Sequence, residues 1–583
     1  MGIYVKQEGQ PRKKHGCLWT IIVCAVLYVA MCGVVGAMMG NMFSTPTATL
    51  EANTIYSIDL DCVLVEQAPI DNPWAALLSD MPGYSNQTTV GLDDLLSNIR
   101  LAKDNDKVLG IYLRGGSLQM GAASAKAIRD ALLDFKESGK FVVAYADSYG
   151  QMNYYVASAA DKVFLNATGS VAWDGLSAQK MYYTRLLEKI GVEMQILKVG
   201  TFKSAVEPYF RTSMSDADRA QTKQYIDGIW SEMTGAVAAS RHLTAAQLNA
   251  YADECMSLQP EEKYVDYGMV DTLVYVQDMD SVLRAYAGTK EYKTISTSRM
   301  ATVKRASIKA SDEIAVLYAD GQIYDDSGSG IVGTDMVKTI KKIAKDDNVK
   351  AVVLRVNSPG GSADASEQIW HAVKTLQAKG LPVVVSMGDY AASGGYYISC
   401  EADYIYAEPT TLTGSIGIFG TVPNVGKLRD KMGIDIDGIG TNRHSDMQVN
   451  MVYKGMNPEE RQLMQSMVER GYDLFTRRCA EGRGMSQDAI KAIGEGRVWL
   501  GKDAVGIGLV DELGNINDAI GKAAELAALG QYAITYYPEV EDPMESLLSM
   551  FDNTTPEERL VLKVREFVSK PRVMALMPHV TIQ

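Results

Sequence analysis

The segment FVVAYADSYGQMNYYVASAADKVFLN (Phe141–Asn166) returns later in the chain as VVVSMGDYAASGGYYISCEADYIYAE (Val383–Glu408). Each copy has an apolar run, an aspartate, a short small or polar stretch, a Tyr-Tyr pair and a later Ala-Asp. Tyr154-Tyr155 corresponds to Tyr396-Tyr397, and Asp161 to Asp403, at an offset of 242 positions. The same offset aligns LLEKIGVEMQ (Leu186–Gln195) with LRDKMGIDID (Leu428–Asp437). Upstream, VLGIYLRGGS (Val108–Ser117) matches VKAVVLRVNS (Val349–Ser358). Downstream, YGMVDTL (Tyr267–Leu273) matches IGLVDEL (Ile507–Leu513) at offset 240. An offset held over so much of the chain is the mark of tandem domains.

Each copy reads as β/α. GIYLR and AVVLRV are short buried strands by length and β-branched content. SAKAIRDALLDFKESGK (Ser124–Lys140) has helical periodicity and ends near Gly139; SEQIWHAVKTLQAKG (Ser366–Gly380) is its counterpart and ends on Gly380. A glycine after the last periodic residue is a common helix stop. The next strand, FVVAY or PVVVSM, follows at once. Strand, helix and strand with such short joints form a βαβ unit and imply a parallel sheet. The polar stretch Tyr292–Arg305 is the expected join. The expected organisation is α/β, with tandem domains at 50–295 and 306–540 and an extension at 541–583.

The 583 residues exceed one core and suggest several domains. With 47% hydrophobic and 22% charged residues the composition is globular. A net charge of −14 argues against a general nucleic-acid binder, which would carry a basic footprint. Seven cysteines contain no C-x-x-C pair, which excludes a cysteine zinc site and a disulfide scaffold. The run Cys17–Phe43 is uncharged and long enough for a bilayer, which takes about 20 apolar residues. Arg12, Lys13 and Lys14 precede it. Positive charge stays inside, so residues 1–16 are expected in the cytoplasm, 17–43 as the anchor, and the body outside. A cleaved signal peptide is the rival; its apolar region would be shorter.

GDYAASGGYYIS (Gly388–Ser399) leaves an apolar run and enters Ala-Ala-Ser-Gly-Gly. Small residues let another backbone or a substrate come close, and Ser393 there suits a nucleophile. The string also suits a strand-to-helix junction with a capping serine. NSPGGS (Asn357–Ser362) ends the strand AVVLRV, where α/β sheets bind ligands. Gly360 and Gly361 can turn N–H groups toward a carbonyl, as an oxyanion hole requires, or form a plain Pro-Gly turn. The five histidines stand in no catalytic string. A lysine serves as base if burial leaves its amine neutral.

GDYAASGGYYIS, NSPGGS, TGSIGIFG (Thr413–Gly420), GRVWLGKDAVGIGLVDELG (Gly496–Gly514) and TFKSAVEPYF (Thr201–Phe210) together resemble the signal peptide peptidases of the protease IV type. The resemblance covers nearly the whole chain, anchor and duplication included. It implies two ClpP/crotonase-like domains and a membrane-bound serine endopeptidase with a Ser-Lys dyad. Ser393 is then the nucleophile and Lys203 the general base. Gly360 and Gly361 belong to the oxyanion hole, and Ser415 is a candidate to hydrogen-bond the lysine. Implied substrates are signal peptides left after preprotein processing, the implied location is the bacterial inner membrane, and the implied assembly is a homotetramer. No cofactor, metal or nucleic acid is implied.

The repeat bears on the same pair. At offset 242, Ser393 aligns with Gln151 and Lys203 with Ser445. Each half keeps what the other lacks. Lys203 can come from the same chain or from a neighbour; ring closure in an oligomer would pair Ser393 of one chain with Lys203 of the next, so a dyad shared across a subunit boundary is the expectation, with a pair inside one chain as its alternative. Two rivals stand beside this reading: a crotonase-like enzyme on acyl-CoA thioesters, and a non-catalytic membrane scaffold. Fold alone does not decide among them.

Overall fold

Strands and helices alternate along both halves, and each half builds its own sheet around the same six-strand order. The computed structural model of the chain describes residues 48–67, 89–116, 119–303, 310–538, 572–577 and 581–582. The expected anchor at 17–43 and most of 541–583 lie outside these. Among the described residues no helix is long and apolar enough to cross a membrane.

In the first half, six parallel strands run in the order Lys293–Ser296, Thr54–Asp59, Val108–Arg114, Phe141–Ala146, Lys162–Leu165, Thr272–Leu273. In the second half the corresponding order is Ala533–Tyr537, Glu313–Asp320, Val349–Ser358, Val383–Ala392, Tyr404–Ala407, Glu512–Leu513. The central strands are buried on both faces, so they read as continuous apolar runs rather than alternating ones. The helices Ala122–Lys136 and Ala363–Ala378 make the crossovers. Gly139 and Gly380 follow them at φ 79° and 82°, as the sequence predicts for helix stops.

Duplication extends to single hydrogen bonds. Asp161 accepts from Val142 N at 2.8 Å and Asp403 from Val383 N at 2.7 Å, which pins the start of equivalent strands. Tyr154 donates its phenol to Met269 O at 2.8 Å, and Tyr396 donates to Leu509 O at 2.9 Å. A buried phenol needs such a partner, which explains one tyrosine of each repeated pair. Two 26-residue helices, Asp216–Arg241 and Pro458–Arg483, end on arginines that pair with Asp271 and Asp511.

The stretch expected as a join is different in part. Lys293–Ser296 is an edge strand of the first sheet, and Thr297–Ala301 is a helix. Only Ile295 of that strand is buried, so the segment has too little apolar signal to read as a strand.

The halves share one core rather than resting side by side. A single apolar cluster contains Ile58, Ile111 and Ala144 of the first half with Val316, Val353 and Val384 of the second. Buried polar links cross the same boundary. Arg355 Nε donates to Glu66 Oε2 at 2.8 Å with both side chains 4% exposed, and Ser124 Oγ donates to Asp389 Oδ2 at 2.6 Å.

A third sheet takes strands from both halves. Its order is Ile331–Val332, Ile323–Tyr324, Gly360–Ser362, Arg572–Leu576, Phe419–Asn424, Glu193–Lys198. Glu193–Lys198 belongs to the first half and lies antiparallel on Phe419–Asn424 of the second, with Lys198 opposite Phe419. This pairing carries the following loop, residues 199–206, into the second half.

Candidate active site

The Val383–Ala392 strand is ten residues long, and its end carries Ser393. Near that end it leaves Tyr404–Ala407 and pairs with Leu412–Gly414 instead. Ser393 N donates to Gly414 O at 2.8 Å. The residue stands at φ 56° and ψ −112°, and the short helix Gly394–Tyr397 begins directly after it. A side chain held in so sparse a backbone region costs about 1–3 kcal/mol, and such strain collects at functional sites. The glycines answer the close approaches the small-residue string predicts. A β-carbon at Gly394 would lie 2.7 Å from Ser366 Oγ, and one at Gly395 would lie 2.5 Å from Ser358 O.

Lys203 arrives from the other half. Its segment lies on bare glycine: a β-carbon at Gly496 would be 2.6–2.7 Å from Lys203 N, Cα and Cβ. Phe202 N donates to Glu495 O at 3.0 Å. Gln221 then ties both sides, donating to Phe202 O at 3.0 Å and accepting from Val498 N at 3.2 Å.

Lys203 Nζ is 2.7 Å from Ser393 Oγ, 3.0 Å from Ser415 O and 3.1 Å from Ser415 Oγ. Lys203, Ser393 and Ser415 have no exposed surface. Burial pushes the lysine well below its ordinary range, and no carboxylate opposes the shift. The amine thus has three oxygen neighbours, two of them on Ser415 and one on Ser393. Ser415 Oγ donates onward to Gly496 O at 3.3 Å, which leaves it an acceptor toward the lysine. The arrangement sets the Ser393 hydroxyl against a buried amine whose charged form burial disfavours.

The other expected residues separate. Gly360, at φ 95°, donates its N–H to Ser358 Oγ at 3.1 Å, so that N–H is already engaged. Gly361 pairs with Ala575 of the adjacent Arg572–Leu576 strand. The sequence reading does not single out Gly394, which directly follows Ser393. Its N–H is the first of its helix and has no acceptor within that helix. A β-carbon at Gly360 would lie 2.6 Å from Gly394 N, so the two residues face one another. The signal was present, since the residue after a nucleophile at a strand-to-helix turn commonly offers its N–H.

The equivalent positions of the repeat are occupied otherwise. Gln151 accepts from Asp174 N and Gly175 N, both at 3.1 Å, and so holds a loop. Ser445 is exposed in a turn, donating to Asn442 O at 2.8 Å. At the same offset Ser415 corresponds to Trp173, whose indole is fully buried. Of the two arrangements, shared across a subunit boundary or inside one chain, the structure has the second: Lys203 and Ser393 of one chain touch. The loop after Glu193–Lys198 reaches the second half of its own chain, a route the sequence pattern did not reveal.

Comparison with known proteins agrees with the duplication. The model of peptidase family S49 matches residues 134–290 and again 375–530. The chain is 38% identical over 521 residues to Protease 4 of Salmonella typhi, covering 87% of this chain and 83% of that one. It is 34% identical over 531 residues to Protease 4 of Haemophilus influenzae, covering 86% and 85%. It is 29% identical over 482 residues to the chloroplastic serine protease SPPA of Arabidopsis thaliana, covering 81% and 71%.

Proposed function

The chain belongs to peptidase family S49 and is a serine peptidase, and on that premise we propose that it works through a dyad of Ser393 and Lys203. Lys203 takes the hydroxyl proton as Ser393 Oγ attacks a peptide carbonyl carbon. The developing oxyanion is held by backbone N–H groups of Gly361 and Gly394, and Gly360 supplies the bare α-carbon beside them. The C–N bond breaks, and the lysine proton passes to the leaving amine. Water, deprotonated by the same lysine, then hydrolyses the ester on Ser393. Ser415 keeps the amine aimed at the serine. One observation carries this reading: a fully buried amine 2.7 Å from the hydroxyl of Ser393.

The substrate class in this reading is cleaved signal peptides, bound as extended strands at the membrane. The body is tethered through residues 17–43 with its N-terminus inside, at the bacterial inner membrane. It forms homotetramers, and its two halves are of the ClpP/crotonase type. Support comes from the apolar run of the anchor and from the parallel βαβ sheet of each half. The test is hydrolysis of a synthetic signal peptide in lipid vesicles by the full chain. Wild type is expected to degrade it and Ser393→Ala to leave it intact. Equal turnover by both would refute the nucleophile.

A further inference from the structure

The helix Asp216–Arg241, which grips the Lys203 loop, carries one half of a buried ion pair. Lys180 Nζ donates to both carboxylate oxygens of Asp218, at 2.6 and 2.7 Å, and the two side chains are 3% and 0% exposed. A buried ion pair adds little net stability over well-packed apolar residues of similar volume. Fold stability alone therefore does not account for one here. Asp218 Oδ1 also accepts from Gln221 Nε2 at 3.2 Å, one helical turn further on. The same nitrogen donates to Phe202 O at 3.0 Å and to Ser204 Oγ at 3.1 Å. Phe202 and Ser204 stand on either side of Lys203, so one amide group holds both its flanks.

An amide side chain can turn over and exchange its oxygen with its nitrogen. A carboxylate only accepts, so Asp218 requires the nitrogen on its side. That leaves Oε1 to accept from Val498 N. Val498 stands opposite Gly414 in an antiparallel ladder, and Gly414 O accepts from Ser393 N. The contacts thus run from the ion pair, through one buried amide, to the flanks of Lys203 and to the ladder that sets Ser393. Among the described residues burial alone displaces the Lys203 pKa, with no charged group contributing. Lys180 and Asp218 therefore reach the lysine through Gln221 rather than through their field.

We propose that Gln221 is a positioning residue, fixed in one amide orientation by the Lys180–Asp218 pair, and that it keeps Lys203 Nζ on Ser393 Oγ. The inference rests on the dyad reading above. Without Gln221 the lysine loop is free to draw back from Val498 and admit water to the amine.

The test is kcat and KM for one fluorogenic peptide across pH, per folded molecule as counted by circular dichroism. Gln221→Met keeps the length of the side chain and removes both hydrogen-bonding groups. It is expected to lower kcat about 10²-fold, the scale of a small misplacement, and to leave KM unchanged. Its apparent pKa is expected to move up toward the free lysine value of about 10.4, because a wetter amine holds its proton more tightly. The paired replacement Lys180→Met and Asp218→Leu strands no buried charge and is expected to move the apparent pKa the same way. A folded Gln221→Met with wild-type kcat and apparent pKa overturns the proposal. So does a loss confined to the yield of folded protein, which is what a merely structural role predicts. A paired variant indistinguishable from wild type overturns the part given to the ion pair. Should Gln221→Met not fold, the paired variant decides the proposal on the same two readouts. Ser393→Ala, measured alongside, separates the two levels: activity equal to wild type refutes the dyad, and this inference with it.

Discussion

Lys203 and Ser393 are 190 positions apart in sequence and 2.7 Å apart in space, each on a different half of a duplicated chain. The contact exists because Glu193–Lys198 pairs with a strand of the opposite half and because Gly496 has no side chain to hold Lys203 away. The halves share a core, so the pair is set by the packing of the whole molecule.

Replacing Lys203 separates charge from basicity. Lys203→Ala is expected to lower peptide hydrolysis by about 10³-fold or more, the scale on which removing one member of a catalytic unit acts. Lys203→Arg is expected to fail equally, because a guanidinium stays protonated and cannot accept the serine proton. Initial rates on one peptide decide it. An active arginine variant would mean that the position needs only positive charge.

Lys203 also makes stability depend on pH. Its folded pKa lies below the ordinary lysine value because of burial. Between that folded value and about 10.4 in the unfolded chain, the unfolded state holds a proton the folded state lacks. Stability therefore rises with pH through this window and levels off above it. Lys203→Met removes the titrating group and is expected to flatten that rise. Denaturant titrations at several alkaline pH values read the difference between the two proteins.

Glu408 acts in the opposite sense. Burial raises its pKa to about 7, against the pull of Lys126 at 3.8 Å, and its Oε1 has no hydrogen-bond partner among the described residues. From about pH 4.5 to 7 the folded state binds more protons than the unfolded one. Stability is expected to fall across this range, by about 3 kcal/mol in total. Glu408→Gln should lack this component. Urea midpoints at pH 5 and pH 7.5 for both proteins provide the check.

A dyad within one chain also predicts a negative result. Ser393→Ala and Lys203→Ala proteins, mixed under conditions that exchange subunits, are expected to recover no activity at any ratio. Each chain brings its own defect to its own site. Exchange is verified by co-purification of differently tagged chains, and recovery in mixed assemblies would place the working pair between chains.

Much of this fold was legible because duplication writes it twice. The recurring Tyr-Tyr and Ala-Asp positions marked equivalent strands and helices, and hydrogen bonds of Tyr154, Tyr396, Asp161 and Asp403 show why those types recur. Ser393 and Lys203 could be named through the family resemblance of their motifs, and the repeat supports the pair because each half keeps one of them. Lys293–Ser296 was not legible, since an edge strand with one buried residue has no apolar pattern. Nor was the third sheet, whose strands are short and drawn from distant segments. Such pairing leaves no period in the sequence. Gly360 and Gly361 read alike as residues, yet Ser358 engages the N–H of the first. Only the backbone geometry distinguishes them.

The central claim is that a neutral Lys203 activates Ser393. Its most direct measurement is the rate at which a fluorophosphonate acylates Ser393, followed by mass spectrometry across pH. Wild type is expected to be labelled at Ser393 alone, with a rate that rises through an apparent pKa well below the free lysine value of about 10.4. Lys203→Ala should be labelled at least 10³-fold more slowly. Labelling of Lys203→Ala at the wild-type rate, or of wild type at another serine, would contradict the account.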